Sequence, residues 1–363
     1  MNILHITNQL DVGGITSYVL SLGAGLKARG HNIYIASSGG ELLNRFVSAG
    51  FNYIPVPINT KCEISPKVLI SFIKLKKAIK ENNIQIIHGH SRTTQVLGYL
   101  LGKNLNIPYV STCHGFFKPR FSRRRFPCWG RKVIAISQQV KEHLKDDFKL
   151  PEENIRVINN GVKIEKLVSN DEAKNLEQKR ALALGPGPVI GIVARLSDVK
   201  GHVYLIEAMK MVVEKIPAAQ LLIVGEGRMK NQLTALTKKL ELERNIIFIP
   251  SVMSMEILAV MDIFAMPSLQ EGLGLSLMEA MSAALAVVAS RVGGIISLVK
   301  DGETGLLVKP ADSRELAQAL VELLQDPQKR ALLGYNAHNF IAQNFSLEKQ
   351  VLDTERFYQE CLN

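Results

Sequence analysis

The sequence predicts an α/β protein made of two doubly wound parallel-sheet domains in series, and three observations predict it. Short apolar, β-branched runs alternate with helix-forming runs at the spacing of βαβ units. The alternation breaks once, at the polar, helix-prone stretch 165–187 that runs into Gly-Pro-Gly-Pro, and then restarts. A chain of 363 residues with 47% hydrophobic content has the length and the apolar material for two cores.

In the first half, Ile3–Ile6 forms the first expected strand, followed by the Gly13-Gly14 turn and a helix from about Ile15 to Ala28 stopped at Gly30. Ile33–Ala36 is the next strand, Glu41–Ala49 a short helix and Tyr53–Val56 a strand. Ile84–His88, Tyr109–Thr112, Val133–Ile136 and Ile155–Ile158 complete the strand set. Residues 67–81 place Val68, Phe72, Leu75 and Ile79 on one helical face, with Lys67, Lys74, Lys77 and Lys80 mostly elsewhere, as in an ordinary packed surface helix with a cationic outer side. In the second half, Val189–Ala194, Leu221–Val224, Ile246–Ile249, Ile263–Met266, Val287–Ala289 and Gly305–Val308 are the strands, with helices such as Val203–Lys215 and Arg314–Leu324 between them. The expected division is a first domain at 1–168, a linker at 169–187 and a second domain at 188–345. Ligands of open parallel sheets bind at the carboxyl ends of the strands, so two such domains are expected to frame a cleft.

Composition excludes several classes. No run reaches the roughly 18 apolar residues of a membrane-spanning helix. The opening MNILHITNQL lacks the basic region, long apolar core and cleavage site of a secretion signal and fits a first strand. Cys62, Cys113, Cys128 and Cys361 form no C-x-x-C pair, so reduced thiols, a cytoplasmic setting and no metal site are expected. Charge is uneven: residues 1–170 carry a net +14 and residues 171–363 a net −3, so the first domain is expected to face an anionic surface or substrate. Its sharpest feature is residues 116–132, with seven basic residues, no acids, and Phe116, Phe117, Phe121, Phe126 and Trp129 interleaved. Such a segment suits an anionic membrane surface. It also suits single-stranded nucleic acid, ranked behind because no recognition module is visible.

The richest stretch for chemistry is Pro267 to Met281. Glu271 and Glu279 stand eight positions apart, Gly272 and Gly274 follow the first, and a helix-forming run from Leu275 carries the second. The pattern predicts strand, turn, helix, with the helix opening near Gly274; the free N–H groups there attract anions, phosphate above all. Isolated glutamates usually sit in water. Around Glu279, however, the apolar neighbours leave little polar face, so its carboxylate is expected half-buried and in need of partners. Two carboxylates beside a phosphate site fit a sugar nucleotide, whose hydroxyls donate to carboxylates while N–H groups and cations hold the diphosphate. Arg195 and Lys200, five residues apart on the loop after the strand ending at Ala194, are the candidate cations for a leaving diphosphate. A dinucleotide enzyme is disfavoured. The first turn is DVGG rather than G-x-G-x-x-G, the second strand ends without a ribose-binding acid, Gly225-Glu226-Gly227 lacks a third glycine, and no Walker loop is present. No D-x-D occurs, so no diphosphate-bridging metal is expected.

Taken together, these motifs resemble the retaining glycosyltransferases of family 4, which share the GT-B architecture and include bacterial lipopolysaccharide and cell-surface enzymes. The matching features, in order, are Gly13-Gly14, Arg29-Gly30-His31, His114-Gly115, Asn160-Gly161-Val162, Arg195 through Lys200-Gly201, Gly225-Glu226-Gly227, Pro267-Ser268 with Glu271-Gly272 and Glu279-Ala280, Gly293-Gly294, and Gly302 through Leu307. The spaced glutamates with the Arg…Lys loop are specific, whereas the glycine pairs alone are not. The resemblance implies that Arg195 and Lys200 bind the donor diphosphate, Glu279 the ribose and Glu271 the sugar. By the same token Gly13 and Gly14 let the first loop approach the donor, and His114 lies against its sugar. Gly225, Gly272, Leu273, Gly274 and Leu275 would supply the rest of the nucleotide site. The resemblance also implies no cofactor and no metal, and a C-terminal helix, 346–363, that packs back on the first domain. Without it, His114 would be a strand-end histidine with a backbone partner; His88 and His90 keep that reading. Two positions depart from the family: Ile296-Ser297 stands where Pro-Glu is usual, in a loop that frames the donor site, and Lys163 stands where Asp is favoured.

The expected activity is transfer of one sugar, with retention, from a UDP- or GDP-sugar to a hydroxyl of a glycan or glycolipid such as a lipopolysaccharide precursor. The expected setting is cytoplasmic and peripheral to the inner membrane face, with no nucleic-acid partner. A sugar-nucleotide epimerase of the same architecture and a catalytically silent nucleotide-binding protein are the alternatives.

Overall fold

The computed structural model describes residues 1–119, 121–164, 172–250 and 256–362. The chain divides into two units, one made of Met1–Gly161 with Leu347–Asn363, the other of Val162–Ser346.

The first unit runs β1 (Asn2–Ile6), α1 (Gly14–Ala28), β2 (Asn32–Ser37), α2 (Leu43–Ser48), β3 (Asn52–Pro55), α3 (Pro66–Glu81), β4 (Ile86–Gly89), α4 (Arg92–Leu105), β5 (Tyr109–Cys113), α5 (Phe121–Arg125), β6 (Lys132–Ala135), α6 (Gln138–Phe148) and β7 (Ile155–Val157). Its described strands form one sheet, ordered β3-β2-β1-β4-β5-β6-β7, with every neighbouring pair parallel. The strands are apolar on both faces because helices cover both, as a parallel sheet requires. Helix starts follow local chemistry: Ser65 accepts from the Lys67 N–H ahead of α3, with Pro66 in the first turn, and Ser137 accepts from the Val140 N–H ahead of α6.

The second unit runs α7 (Glu172–Ala181), β8 (Val189–Val193), α8 (His202–Lys215), β9 (Gln220–Val224), α9 (Lys230–Lys239), β10 (Ile246–Ile249), α10 (Glu256–Ala259), β11 (Ile263–Met266), α11 (Leu275–Ser282), β12 (Ala286–Ser290), α12 (Ile295–Leu298), β13 (Leu306–Val308), α13 (Ser313–Gln325) and α14 (Pro327–Asn344). Its described strands are ordered β10-β9-β8-β11-β12-β13, again all parallel. The core of this unit joins Ile190, Leu205, Met209, Leu221, Ile263, Val288 and Leu320, all essentially solvent-free. In both sheets the order reverses beside the first strand, at β1/β4 and β8/β11. These are the switch points where adjacent loops diverge and leave room for a ligand.

Each predicted strand is present within a residue or two. The stretch expected as a linker differs: residues 172–187 group with the second unit, and 165–171 lie outside the described residues. Its end docks by Gly185 N–H donating to Gln220 Oε1 (2.8 Å) and by Leu184, 7% exposed. Helix α15 (Leu347–Leu362) belongs to the first unit. There Glu355 accepts from Arg29 Nε and pairs with His31 Nε2, each at 2.7 Å, and Gln350 accepts from the Gly161 N–H. Among the described residues no helix is long and apolar enough to cross a membrane.

Candidate functional site

In the second unit the predicted residues converge on loops at the carboxyl ends of β8, β9, β11 and β12. The β8–α8 loop carries Arg195 and Lys200. Its backbone is pinned by Leu196, whose N–H donates to Glu226 O at 2.8 Å and whose side chain is fully buried. Arg195 itself is exposed and makes no hydrogen bond or ion pair among the described residues, as an anion-binding guanidinium needs. Gly225, expected beside the nucleotide, has a different requirement. A Cβ built there would lie 2.1 Å from Ala194 O, and one at Gly227 2.2 Å from Leu196 O, so these glycines let β9–α9 press against the Arg195 loop.

Lys200 precedes Gly201, whose φ of 71° starts α8 and whose missing Cβ admits Pro267 O at 1.8 Å. Leu269 N–H then donates to Val199 O at 2.8 Å, which ties the β8–α8 and β11–α11 loops together. The result brings Lys200 Nζ onto Glu271 Oε2. Sequence reasoning assigned these groups to separate parts of a donor, diphosphate and sugar; here they neutralise each other. Glu271 Oε1 also accepts from Gly272 N–H at 3.2 Å, and the Gly294 N–H donates to Glu271 O at 3.1 Å. That last bond is possible because Gly294 has no Cβ to strike Gly272 O.

Helix α11 opens at Gly274, φ 93°, with no side chain capping its first turn, so the N–H groups after Gly274, beginning with Leu275, are available to an anion. Leu273 is buried beneath this turn. Glu279, on the second turn, is half-buried as expected, and its carboxylate makes no hydrogen bond or ion pair among the described residues. Burial without a cation raises its carboxyl to about 7. Ser297, at the departure from the family pattern, turns inward and donates to Gly294 O at 2.7 Å, while Ile296 is 50% exposed.

In the first unit Gly13 and Gly14 open α1 with nothing within 4 Å of a built Cβ, so the backbone there is accessible. His114 follows β5 and packs edge-on against Tyr18 of α1, ring centroids 4.7 Å apart. Its expected backbone partner is replaced by another ring: His90 Nδ1 lies 3.2 Å from His114 Nε2. His5, which sequence reasoning missed, joins them because the parallel register sets His5 opposite His88. His88 is held between Tyr358 (2.6 Å) and Thr112 (2.7 Å). Burial drives His5 and His114 down to about 3, and His88 and His90 well below the usual imidazole range, so all four rings are neutral. One nitrogen from each of His5, His88 and His90 lies within 4.8 Å of the others, a donor set a transition metal accepts, although the sequence pointed to no metal.

The basic segment 116–132 is only partly outward. Trp129 is 3% exposed and packs on Phe148, and Arg123 lies over Phe117. Phe116 and Phe126 stay exposed; the side chain of Phe121 lies outside the described residues. Also missed by sequence were the orphaned buried groups of Ser197, Ser268 and His202 near the Lys200 turn. No spacing rule marks such residues before the loops are folded.

Comparison with known proteins follows the same division. Residues 12–166 match the family Glycosyltransferase Family 4, and residues 174–340 match Glycosyl transferases group 1. The chain is 28% identical over 306 residues, 78% of each chain, to the Escherichia coli UDP-Gal:alpha-D-GlcNAc-diphosphoundecaprenol alpha-1,3-galactosyltransferase. It is 26% identical to the Bacillus anthracis N-acetyl-alpha-D-glucosaminyl L-malate synthase over 99% of this chain and 97% of that one. Among solved structures, a glycosyltransferase from Rickettsia africae superposes with a TM-score of 0.86 at 24% identity, covering 100% of this chain and 98% of that one. Anabaena HepE in complex with UDP and glucose gives a TM-score of 0.87 at 22% identity, covering 99% and 100%. Two parallel sheets, a loop pairing Lys200 with Glu271, an uncapped α11 and family matches to both halves lead to one assignment: the chain is a glycosyltransferase and belongs to family 4, with the GT-B fold.

Proposed function

We propose that the protein transfers a sugar, with retention of configuration and without a metal, from a UDP- or GDP-sugar to a hydroxyl of a lipid-linked glycan. The observation that carries the donor half is the convergence of Arg195, the Lys200–Glu271 pair and the opening of α11 on two adjacent strand ends, those of β8 and β11. Donor diphosphate draws Lys200 off Glu271, Arg195 forks onto the phosphate oxygens, and the α11 N–H groups complete the cradle. Glu271, released, accepts from sugar hydroxyls, and Glu279 from the ribose. As the acceptor oxygen bonds to the anomeric carbon, the bond to the diphosphate oxygen breaks, the hydroxyl proton passes to an oxygen of the departing diphosphate, and the two cations stabilise the charge that gathers on this leaving group where it forms. His114, on the first unit, is neutral and offers a substrate a hydrogen bond rather than a positive charge.

The test is a thermal-shift panel of UDP, GDP, ADP and their sugars, followed by product analysis. Stabilisation by one nucleotide fixes the donor class through mass action. Product heavier than the acceptor by one sugar supports transfer; a product of the same mass as the donor supports the epimerase; nucleotide binding with no turnover supports the silent protein.

The acceptor half rests on the surface of the first unit. Helix α3 buries Val68, Leu75 and Ile79 but leaves Leu69, Ile70 and Ile73 between 47% and 63% exposed, beside Lys67, Lys74 and Lys77. It is therefore more than the ordinary packed helix its sequence predicts. A groove of about 620 Å³, lined by Ile64, Val68, Leu69, Phe72 and Leu100, adjoins it. Apolar side chains flanked by lysines suit the interface of an anionic bilayer, cytoplasmic face included, where a lipid-linked acceptor resides. The name of one relative, the Escherichia coli galactosyltransferase, supports a lipid-diphosphate sugar as one acceptor type. Sedimentation with anionic liposomes separates the two candidate segments. Leu69→Gln with Ile73→Gln is expected to abolish binding, whereas Arg123, Arg124 and Arg125→Glu is expected to weaken it. Equal binding by all three proteins overturns the membrane reading.

A further inference from the structure

Each neutral imidazole holds one N–H and one lone pair, so a ring bonded at both nitrogens donates once and accepts once. His90 is such a ring. Its Nε2 lies 2.9 Å from His5 Nδ1 and its Nδ1 lies 3.2 Å from His114 Nε2, with His5 and His90 essentially solvent-free. Only two proton arrangements satisfy both contacts. In one, His5 Nδ1–H donates to His90 Nε2 and His90 Nδ1–H donates to His114 Nε2. His114 then carries its own proton on Nδ1, and the atom left over is a lone pair on His5 Nε2. In the other, every proton runs the opposite way and His5 holds an N–H on Nε2.

His5 Nε2 decides between them: it is buried and has no partner among the described residues. A buried N–H without an acceptor is among the rarest features of folded proteins, whereas an unused lone pair is tolerated more readily. The remaining ring, His88, is engaged by Tyr358 and Thr112 and supplies no acceptor to His5.

We propose that His5 and His90 are positioning residues that lock His114 in the Nδ1–H tautomer, so that His114 presents a hydrogen-bond donor, not a base, to the substrate. Resting on the glycosyl-transfer reading, this gives His114 one chemical role: Nδ1–H donates to an oxygen of the substrate, and the ring takes no proton from the attacking hydroxyl. Tyr18, edge-on to both His114 and His90, keeps the ring from rotating out of register.

The tautomer is read directly by long-range ¹H–¹⁵N correlation spectra of protein labelled at histidine, with His114→Gln used for assignment. His114 is expected to show a protonated Nδ1 and an unprotonated Nε2. The reverse pattern overturns the proposal, as does a transition metal copurifying in stoichiometric amount with the tag-free protein and lost in His5→Ala. Two variants extend the test. Asn at position 90 places an amide N–H near the site of the ring Nδ1, so His90→Asn is expected to keep the His114 tautomer and a donor KM within about threefold of wild type. His90→Phe keeps the ring volume and is expected to raise Nε2–H His114 and lift donor KM about tenfold, the loss of one hydrogen bond, with kcat less affected. A KM raised equally in both variants overturns the relay. Because the spectra need no turnover, the predicted tautomer with no sugar transfer would refute the transferase reading alone.

Discussion

Glu279 and Arg195 are the single side chains at which the proposed function is tested most directly. Burial lifts the Glu279 carboxyl from its ordinary 4.5 to about 7. In the unfolded chain it loses its proton earlier, so between those values the native state binds more protons and stability falls as pH rises. Glu279→Gln removes this dependence. Relative to wild type, the variant is expected to gain stability by at most about 1.4 kcal/mol per pH unit from pH 4.5 to 7 and to hold that gain above. Urea midpoints across pH 4–9 measure it, and a flat difference refutes the buried-carboxylate account. The same variant is expected to bind nucleotide more weakly. Arg195→Ala, by contrast, removes an exposed side chain without a partner among the described residues. Stability is expected to stay within about 0.5 kcal/mol, while kcat falls on the order of 10²–10³ with loss of charge stabilisation at the leaving group. An unchanged kcat would remove Arg195 from the mechanism.

At the scale of elements, the loops after β8, β9 and β11 owe their shape to glycines that other loops press against. At Gly225 the space of a side chain is taken by the backbone carbonyl of Ala194. Gly225→Ala is therefore expected to destabilise the protein by about 1–3 kcal/mol and to weaken nucleotide binding by shifting the Arg195 loop. Calorimetry with and without UDP or GDP checks both; lost stability with intact affinity would show that the loop shape does not matter. Strands were legible in the sequence because a run such as Ile3–Ile6 or Ile263–Met266 has no alternative to burial. The opening of α11 was legible for a similar reason, since Gly274 precedes an uninterrupted helix-forming run. The histidine cluster was not, because residues 5, 88, 90 and 114 meet only through the register of β1, β4 and β5. Nor was the Lys200–Glu271 contact, which depends on two loops sharing the Leu269–Val199 bond. The expected linker differs where the turn after α7 leads to Leu184, which buries itself in the second unit.

At the scale of the whole molecule, the charge contrast of the sequence falls on the division into units: the basic residues concentrate in the unit with the α3 surface, while the donor loops belong to the other. The first unit is discontinuous, since it takes helix α15 from beyond the second. Tyr358, fully buried, supplies the partner of His88, and Glu355 that of Arg29 and His31. Ending the chain after Ser346 strips a partner from the buried rings of His88 and His31, which is costly. Limited proteolysis is expected to cut within residues 1–161 of such a truncation while 172–346 resists; equal resistance of both would show that α15 is dispensable.

The placement of α15 also orders events during synthesis. A ribosome delivers residues 162–346 before it delivers the last segment of the first unit, so the unit begun earliest is completed latest. Until then Arg29 and His31 wait without Glu355 and His88 without Tyr358, and the nascent polypeptide carries a finished second unit tethered to an open, basic and partly apolar precursor. Chaperone engagement during translation should therefore concentrate on the N-terminal half.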